Sequence, residues 1–409
     1  MNMKRPLAFL LAAGMTLGLA ACGGNGGTSG SGSSGSSGSA GGSAVTLDLW
    51  AFNIGGFTEA SNWDTILAAF NEQHPDITVN VTPINYQDGD QKLTSAITSN
   101  SGPDIIFEGP ERIVGNYARE GLMVDLSDLW TESGSDIAEG ISSVSQLDGT
   151  YYMYPLSVAA HCMAINYEVF EAAGALQYID EETRTWSTDD FVAAMEAIKT
   201  AIDNGTVSLA TPGIVYCGAQ GGDQGTRALV NNLYSDYYVN DDGTSYNANS
   251  ANNVKALTLL QEMVNEGSLS ANASYAAADE LQAFANQTCA VTFCWNYSNY
   301  TQYAEQTQFT PFAMAFPSDD SQPELEMAGP YGFGVFDKGD EAKIEAAKTF
   351  IDFVCNDQTV GTEAVKTTGF FPVHADWGDV YAGDADADLR APFALMSDYL
   401  GRYYNLTGG

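Results

Sequence analysis

Val45, Leu47 and Leu49 alternate with polar residues and run into Trp50-Ala51-Phe52, a period of two that predicts a half-buried strand. Trp63, Ile66, Leu67 and Phe70 then recur at helical spacing, and His74-Pro75-Asp76 ends that helix because proline cannot continue it. Ile77, Val79 and Val81 return to alternation. Strand, helix and strand in so short a span form a βαβ unit and predict a parallel sheet with a right-handed crossover. A helical stretch from Tyr86 to Asn100 and a short apolar strand at Ile105-Ile106-Phe107 extend the pattern, so the opening lobe is α/β.

Three later stripes read as core-facing helices. Ser187 and Asp190 make a capping box ahead of Phe191, Met195, Ile198 and Ile202. Val254, Leu257, Leu260 and Val264 line a second helix, closed by Gly267. Ile344, Ala347, Phe350, Ile351 and Val354 line a third.

The N-terminus follows other rules. A short basic start, Met1 to Arg5, precedes an apolar run over Leu7 to Ala21 that is too short to span a bilayer as a stable anchor. Small residues close the run, so residues 1–21 read as an export signal. The sequence Leu19-Ala20-Ala21-Cys22 resembles the lipobox of bacterial lipoproteins, which implies cleavage before Cys22 and acylation of that residue. Several acyl chains hold a protein durably on a membrane where one does not. The alternative is an ordinary cleaved signal with an incidental cysteine. Residues 23–43 are almost wholly Gly and Ser, a flexible tether that buries nothing.

The 409 residues carry 15 Lys+Arg against 52 Asp+Glu, a formal charge of −37, and loss of Lys4 and Arg5 with the signal deepens it. Such a field repels phosphate backbones and excludes nucleic acid as a partner. With 44% apolar and 16% charged residues the composition is globular, long enough for two domains. The body holds five cysteines, Cys162, Cys217, Cys289, Cys294 and Cys355, with no CxxC; most read as buried small hydrophobes.

Familiar catalytic chemistry is missing. The chain has no Gly-Lys pair for a phosphate loop, no GxGxxG after a strand and no HExxH. His74 reads as a helix-end cap, His161-Cys162 lacks a second ligand cluster, and His374 lies in an irregular tail, so neither metal nor cofactor is expected. With 52 acids, carboxylate pairs are inevitable and carry no information about glycoside chemistry.

An ordered set of short motifs identifies a family. Trp50-Ala51-Phe52, Pro103-Asp104-Ile105-Ile106 and the run Tyr117 to Leu126 resemble the opening lobe of extracellular solute-binding proteins of carbohydrate ABC importers. Tyr154-Pro155-Leu156, the run Ala164 to Gly174, Thr185-Trp186-Ser187 and Phe284 to Trp295 are similar to later segments of that family. Gly329-Pro330-Tyr331-Gly332-Phe333 stands where the family usually has Gly-Gly before the aromatic. The match runs along nearly all of residues 45–375. It implies a two-lobed α/β fold of the periplasmic-binding-protein type II, with the ligand between lobes and several chain crossings. By that analogy residues 44–157 and 310–340 form the first lobe, and 158–309 with 341–409 the second. The implied partners are a carbohydrate, the permease subunits of an ABC importer and, through Cys22, the outer face of the cell membrane, for a protein acting as a monomer.

Open α/β sheets bind ligands beyond the carboxyl ends of their strands. Sugars present flat C–H faces and a rim of hydroxyls, which aromatic planes and polar amides or carboxylates can match. Trp50, Trp295 and Tyr331 are the candidate aromatics, and the resemblance places Trp295 and Tyr331 at cleft positions, stacking on the ligand from different lobes. Asn53, Glu59, Glu108, Gln220, Asp223 and Asn296 are the polar candidates. Core packing is the alternative for each aromatic. A secreted glycoside-active enzyme, a surface scaffold, or a binder of polyols, sugar phosphates, peptides or polyamines are the rival functions.

Overall fold

The computed structural model describes residues 44–86, 88–218, 223–240 and 245–401. The signal, Cys22, the Gly/Ser tether and Gln220 lie outside the described residues.

Two sheets organise the body. The larger has six strands in the order Phe371–Pro372, Tyr154–Ala160, Met327–Val335, Ile105–Glu108, Val45–Phe52, Ile77–Ile84. Val45–Phe52 pairs in parallel with both Ile77–Ile84 and Ile105–Glu108, as the βαβ pattern requires. Met327–Val335 then runs antiparallel to Ile105–Glu108 on one side and to Tyr154–Ala160 on the other. The smaller sheet centres on Cys162–Asn166, flanked antiparallel by Val291–Trp295 and Pro311–Met314. Strands buried on both faces read as unbroken apolar runs, which is why Cys162–Asn166 and Val291–Trp295 show no alternation.

Each sheet has its own hydrophobic core. The first gathers Leu47, Leu49, Phe70, Phe107, Phe333 and Phe350; the second gathers Ile165, Phe191, Met195, Phe284, Phe293 and Trp295. The packing redraws the lobe boundary read from the sequence. Helix Glu341–Asn356 and helix Gln358–Thr368 bury Phe350, Ile351, Val354 and Val365 in the first core, not the second. Phe350 meets Phe70 and Phe333 edge-on, with ring centroids 5.1 and 6.0 Å apart. Pro311–Met314 belongs to the second sheet, and the return to the first comes only at Met327. Helix Ala387–Ser397 comes back to the second core through Phe393 and Met396. Periodicity shows that a helix has an apolar face but not which sheet covers it.

One stripe is rotated from its expected facing. In helix Ala251–Glu266, Ala256, Leu260 and Met263 are buried, whereas Val254 and Leu257 are exposed. Asn253 takes the inward place instead, donating to the Tyr237 and Asn247 carbonyls. Half of the expected capping box forms: the Ser187 hydroxyl accepts the Asp190 N–H at 3.0 Å, but the Asp190 carboxylate takes the Ser187 hydroxyl at 2.6 Å and not the Ser187 backbone N–H; Gly267 closes its helix in the left-handed region at φ 82°. Among the described residues no helix is long and apolar enough to cross a membrane.

If Glu341–Asn356 belongs to the first core, Phe350→Ala should cost about 3–5 kcal/mol of stability. Amide hydrogen exchange checks the assignment: Val45–Phe52 should lose protection before Cys162–Asn166. Equal loss in both sheets, or loss in the second alone, contradicts it.

Candidate functional site

The chain passes between the sheets at His161, between Tyr154–Ala160 and Cys162–Asn166, and again at Glu326, just before Met327–Val335. The two crossings lie side by side. The His161 N–H donates to the Glu326 carbonyl at 2.9 Å, and Ala160 pairs with Met327. Beside them opens a cavity of ≈ 370 Å³, within the range of small-molecule sites.

Helix Gln224–Leu233 supplies one wall. Gln224, Arg227 and Asn231 stand three and four residues apart, hence on one face, and all three line the cavity. Gly225 lets this helix sit close: a Cβ there would come within 2.3 Å of the Tyr216 hydroxyl and 2.4 Å of the Phe293 carbonyl. Helix Tyr297–Tyr303 contributes Asn299, Gln302 and Tyr303, with Asn296 as its N-cap accepting the Asn299 N–H at 2.9 Å. Ala277 and Ala278 of helix Ala277–Ala285 line it with side chains too small to fill it. From the first lobe come Glu111 and Tyr331.

Tyr331 is half-buried, its ring stacked on Phe370 at 5.5 Å and 22°. The pairing of Met327–Val335 with Tyr154–Ala160 shifts register on both sides of Tyr331, and such irregularities re-aim a side chain. Burial, then the charges of Glu108 and Glu111, push its phenol well above the ordinary value.

The charges of the cavity are arranged around Arg227. Its guanidinium donates to Asp223 at 2.9 Å and to both oxygens of Glu326 at 3.3 and 3.4 Å. Asn231 Nδ2 donates to Glu326 Oε1 at 3.3 Å. Burial, reinforced by Arg227, pushes the His161 imidazole down to about 4, so it is neutral at physiological pH. Partial desolvation in the cleft and the Glu108 charge raise Glu111 above the usual carboxylate range. Among the described residues, no group of three His, Cys, Asp or Glu is placed to hold a metal ion.

Of the residues read from the sequence, Asn296 and Tyr331 line the cavity and Asp223 stands behind it as the partner of Arg227. The others lie elsewhere. Trp295 is wholly buried in the second core, edge-on to Phe284 at 5.6 Å and 74°, so it is a core residue and no stacking platform. Its position in Val291–Trp295, buried at every residue, turns the ring into the lobe. Trp50 packs on the first core from strand Val45–Phe52. Asn53 continues that strand by donating its N–H to the Ile84 carbonyl at 3.0 Å. Glu59 is an exposed N-cap of the turn Ala60–Trp63. Glu108 is buried against Arg112 at 2.7 Å, and Arg112 is held in turn by Asp90. These contacts give Glu108 a structural partner in Arg112. His161, Arg227, Asn231 and Glu326 carried no local signal in the sequence, because their place depends on where two distant crossings meet.

The geometry is that of a two-lobed binding protein with its cavity at the inter-lobe crossings. Residues 65–390 match the family profile described as bacterial extracellular solute-binding protein, and the chain belongs to that family. Among curated proteins it is 29% identical over 173 residues to the diacetylchitobiose binding protein DasA of Streptomyces coelicolor, covering 42% of this chain and 39% of that one. A putative binding protein of Brucella abortus matches at 27% over 113 residues, 27% of each chain. The chain thus spans about two fifths or less of the length of the curated relatives it matches.

Solved structures show the fold. An ABC substrate-binding protein from Listeria monocytogenes in complex with cycloalternan aligns with a TM-score of 0.67 at 20% identity, covering 88% of each chain. Maltose-bound T. maritima MalE3 aligns with a TM-score of 0.67 at 17% identity, over 88% of this chain and 89% of that one. The protein therefore has the two-lobed type II binding-protein fold.

Behind the cavity wall, Glu280 is fully buried and accepts from the Thr292 hydroxyl at 2.6 Å and the Phe293 N–H at 2.9 Å. Burial raises it to about 8 against those two bonds. A carboxyl raised by folding stabilises fully below its unfolded value and loses that contribution as pH rises through the folded one. Glu280→Gln should therefore melt higher than the parent at pH 9, with the gap closing toward pH 5. Melting curves across that window check it; a gap independent of pH contradicts it.

Proposed function

We propose that this protein captures a carbohydrate, a short oligosaccharide, between its lobes and presents it to the permease of an ABC importer. The observation that carries the reading is the cavity wall. Tyr331, Tyr238 and Tyr303 offer aromatic faces, while Gln224, Asn231, Asn296, Asn299 and Gln302 offer amides. That pairing suits the flat faces and hydroxyl rim of a sugar. Each amide can donate and accept, as a hydroxyl does. The volume suits a ligand of a few sugar rings at most. The cycloalternan and maltose complexes of structural neighbours, and the diacetylchitobiose-binding relative, support the same class.

The ligand would touch both lobes, and a closed form is favoured only by the difference in its affinity for closed and open states. Binding, without turnover, is the role proposed, carried out by a monomer. The export signal and a lipid on Cys22 would keep the globule at the outer face of the cell membrane. In this reading residues 44–160 and 327–373 make the first lobe, and 162–325 with 387–400 the second.

Two measurements test the proposal. A thermal-shift screen over oligosaccharides should find a ligand, which at 100 times Kd adds about 2.7 kcal/mol. With that ligand, Tyr331→Ala should weaken binding by roughly 2 kcal/mol, while the unliganded melting temperature falls little because the ring is half-buried. No shift with any saccharide sinks the carbohydrate reading. Separately, Cys22→Ser should release an intact globule from the membrane fraction. A variant that still partitions with membranes after a salt wash counts against the anchor.

A further inference from the structure

Among the described residues, the buried side-chain atoms of the cavity lining that lack a partner, His161 Nε2, Asn231 Oδ1 and Asn299 Oδ1, can all accept a hydrogen bond. A neutral imidazole has one N–H and one acceptor nitrogen. The Phe293 backbone favours the N–H of His161, while Nε2 has no hydrogen-bond partner in the protein. Asn231 spends its amide nitrogen on Glu326, which fixes the orientation of the group, and its Oδ1 is unpartnered. His161 and Asn231 are 6% and 3% exposed, and both line the cavity. Buried polar atoms without partners are costly, so their ligand is expected to supply the missing bonds.

A further acceptor is the Glu326 carboxylate. Its bonds from Arg227 are long, at 3.3 and 3.4 Å, because the guanidinium is drawn to Asp223 at 2.9 Å. Arg227 is the basic side chain of the cavity among the described residues; three of its five N–H groups bond two carboxylates, which more than match its charge. Two carboxylates, Asp223 and Glu326, surround this one guanidinium, so the local balance is negative. An anionic ligand finds no free cation here, which argues against uronic acids and sugar phosphates.

His161 and Glu326 are joined through their backbones at 2.9 Å, and the Asn231 amide rests on Glu326 at 3.3 Å. The imidazole, the amide and the carboxylate thus belong to three neighbouring residues at one corner of the cavity wall. A hydroxyl donates once and would leave two of these acceptors unserved; an ammonium donates three times and carries the complementary charge. We propose that this corner is an ammonium subsite and that the preferred ligand is an amino sugar with a free amine. The inference rests on the carbohydrate reading above and narrows it to a substrate class.

Matched sugar pairs that differ only in an amine or a hydroxyl at C2 test it: glucosamine and glucose, galactosamine and galactose, and the β-1,4 glucosamine disaccharide with cellobiose. Calorimetry on the whole mature protein, at mildly acidic pH where the amine is protonated, should show at least one amine member binding about tenfold or more tighter than its twin. Glu326→Gln should remove most of that preference. His161→Phe, which keeps the ring contact with Phe316, should weaken the amine more than the hydroxyl sugar. Hydroxyl twins that bind as tightly as the amines, or tighter, overturn the subsite and leave the carbohydrate reading standing. If a simple diamine binds and no sugar does, the subsite stands and the carbohydrate reading falls. If none of these probes binds, the subsite is overturned, and the wider saccharide screen decides the other reading by itself.

Discussion

The hydrogen bond between His161 N–H and the Glu326 carbonyl ties together the two strands that pass between the lobes. Much of the site depends on it. It sets Tyr154–Ala160 beside Met327–Val335 in the first sheet and releases Cys162–Asn166 into the second. A cavity wall built here has members from both lobes within reach of one ligand. Positions 161 and 326 each abut a strand end and are joined by a backbone hydrogen bond, so their side chains are held more tightly than on a free loop. Sites on such elements are more precise than sites on loops.

Around that junction the polar groups divide into two kinds. Arg227 pairs closely with Asp223 and more loosely with Glu326, and the three fix helix Gln224–Leu233 against the crossing. His161 Nε2, Asn231 Oδ1 and Asn299 Oδ1 are left with no protein partner. The first group costs the desolvation of three charges and gains orientation in return. The second group, with the loosely held Glu326 carboxylate, is what the proposed ligand would satisfy. Deeper still, Glu280 bonds the backbone N–H of Phe293 and the Thr292 hydroxyl in the strand that leads to Asn296. Polar burial therefore continues behind the wall, and the cleft is backed by a satisfied layer instead of bare apolar core.

The lobes themselves rest on ordinary apolar packing. In the first, Phe70, Phe333 and Phe350 meet edge-on, which joins an early helix, a late strand and a still later helix. The chain order of these elements is scattered, so the lobe closes only when distant segments have met. Asp104 adds a polar clasp, accepting from Lys338 at 2.8 Å, Lys343 at 2.9 Å and the Asp48 N–H at 2.9 Å. The lysines hold that carboxylate below the usual range against the burial that opposes them.

The sequence by itself determined what is local. Alternation at Val45, Leu47 and Leu49 and the helical spacing from Ile66 to Phe70 dictated a βαβ unit, because side-chain period is a property of each element alone. Capping at Ser187 and the left-handed Gly267 were legible for the same reason. The ordered motifs identified the family, and of the candidates read from the sequence Tyr331, from that likeness, and Asn296, from its residue type beside an aromatic, line the cavity. Tertiary structure decided the rest. Trp295 looked like a cleft aromatic, yet its strand is buried at every residue and its ring packs inward. Val254 and Leu257 fell on the exposed side of their helix, since a stripe has a width that periodicity does not rotate. Glu341–Asn356 joined the first lobe because its partners, Phe70 and Phe333, lie far away in sequence. His161, Arg227, Asn231 and Glu326 acquire their chemistry only where segments about a hundred residues apart come together, and no local pattern records that meeting.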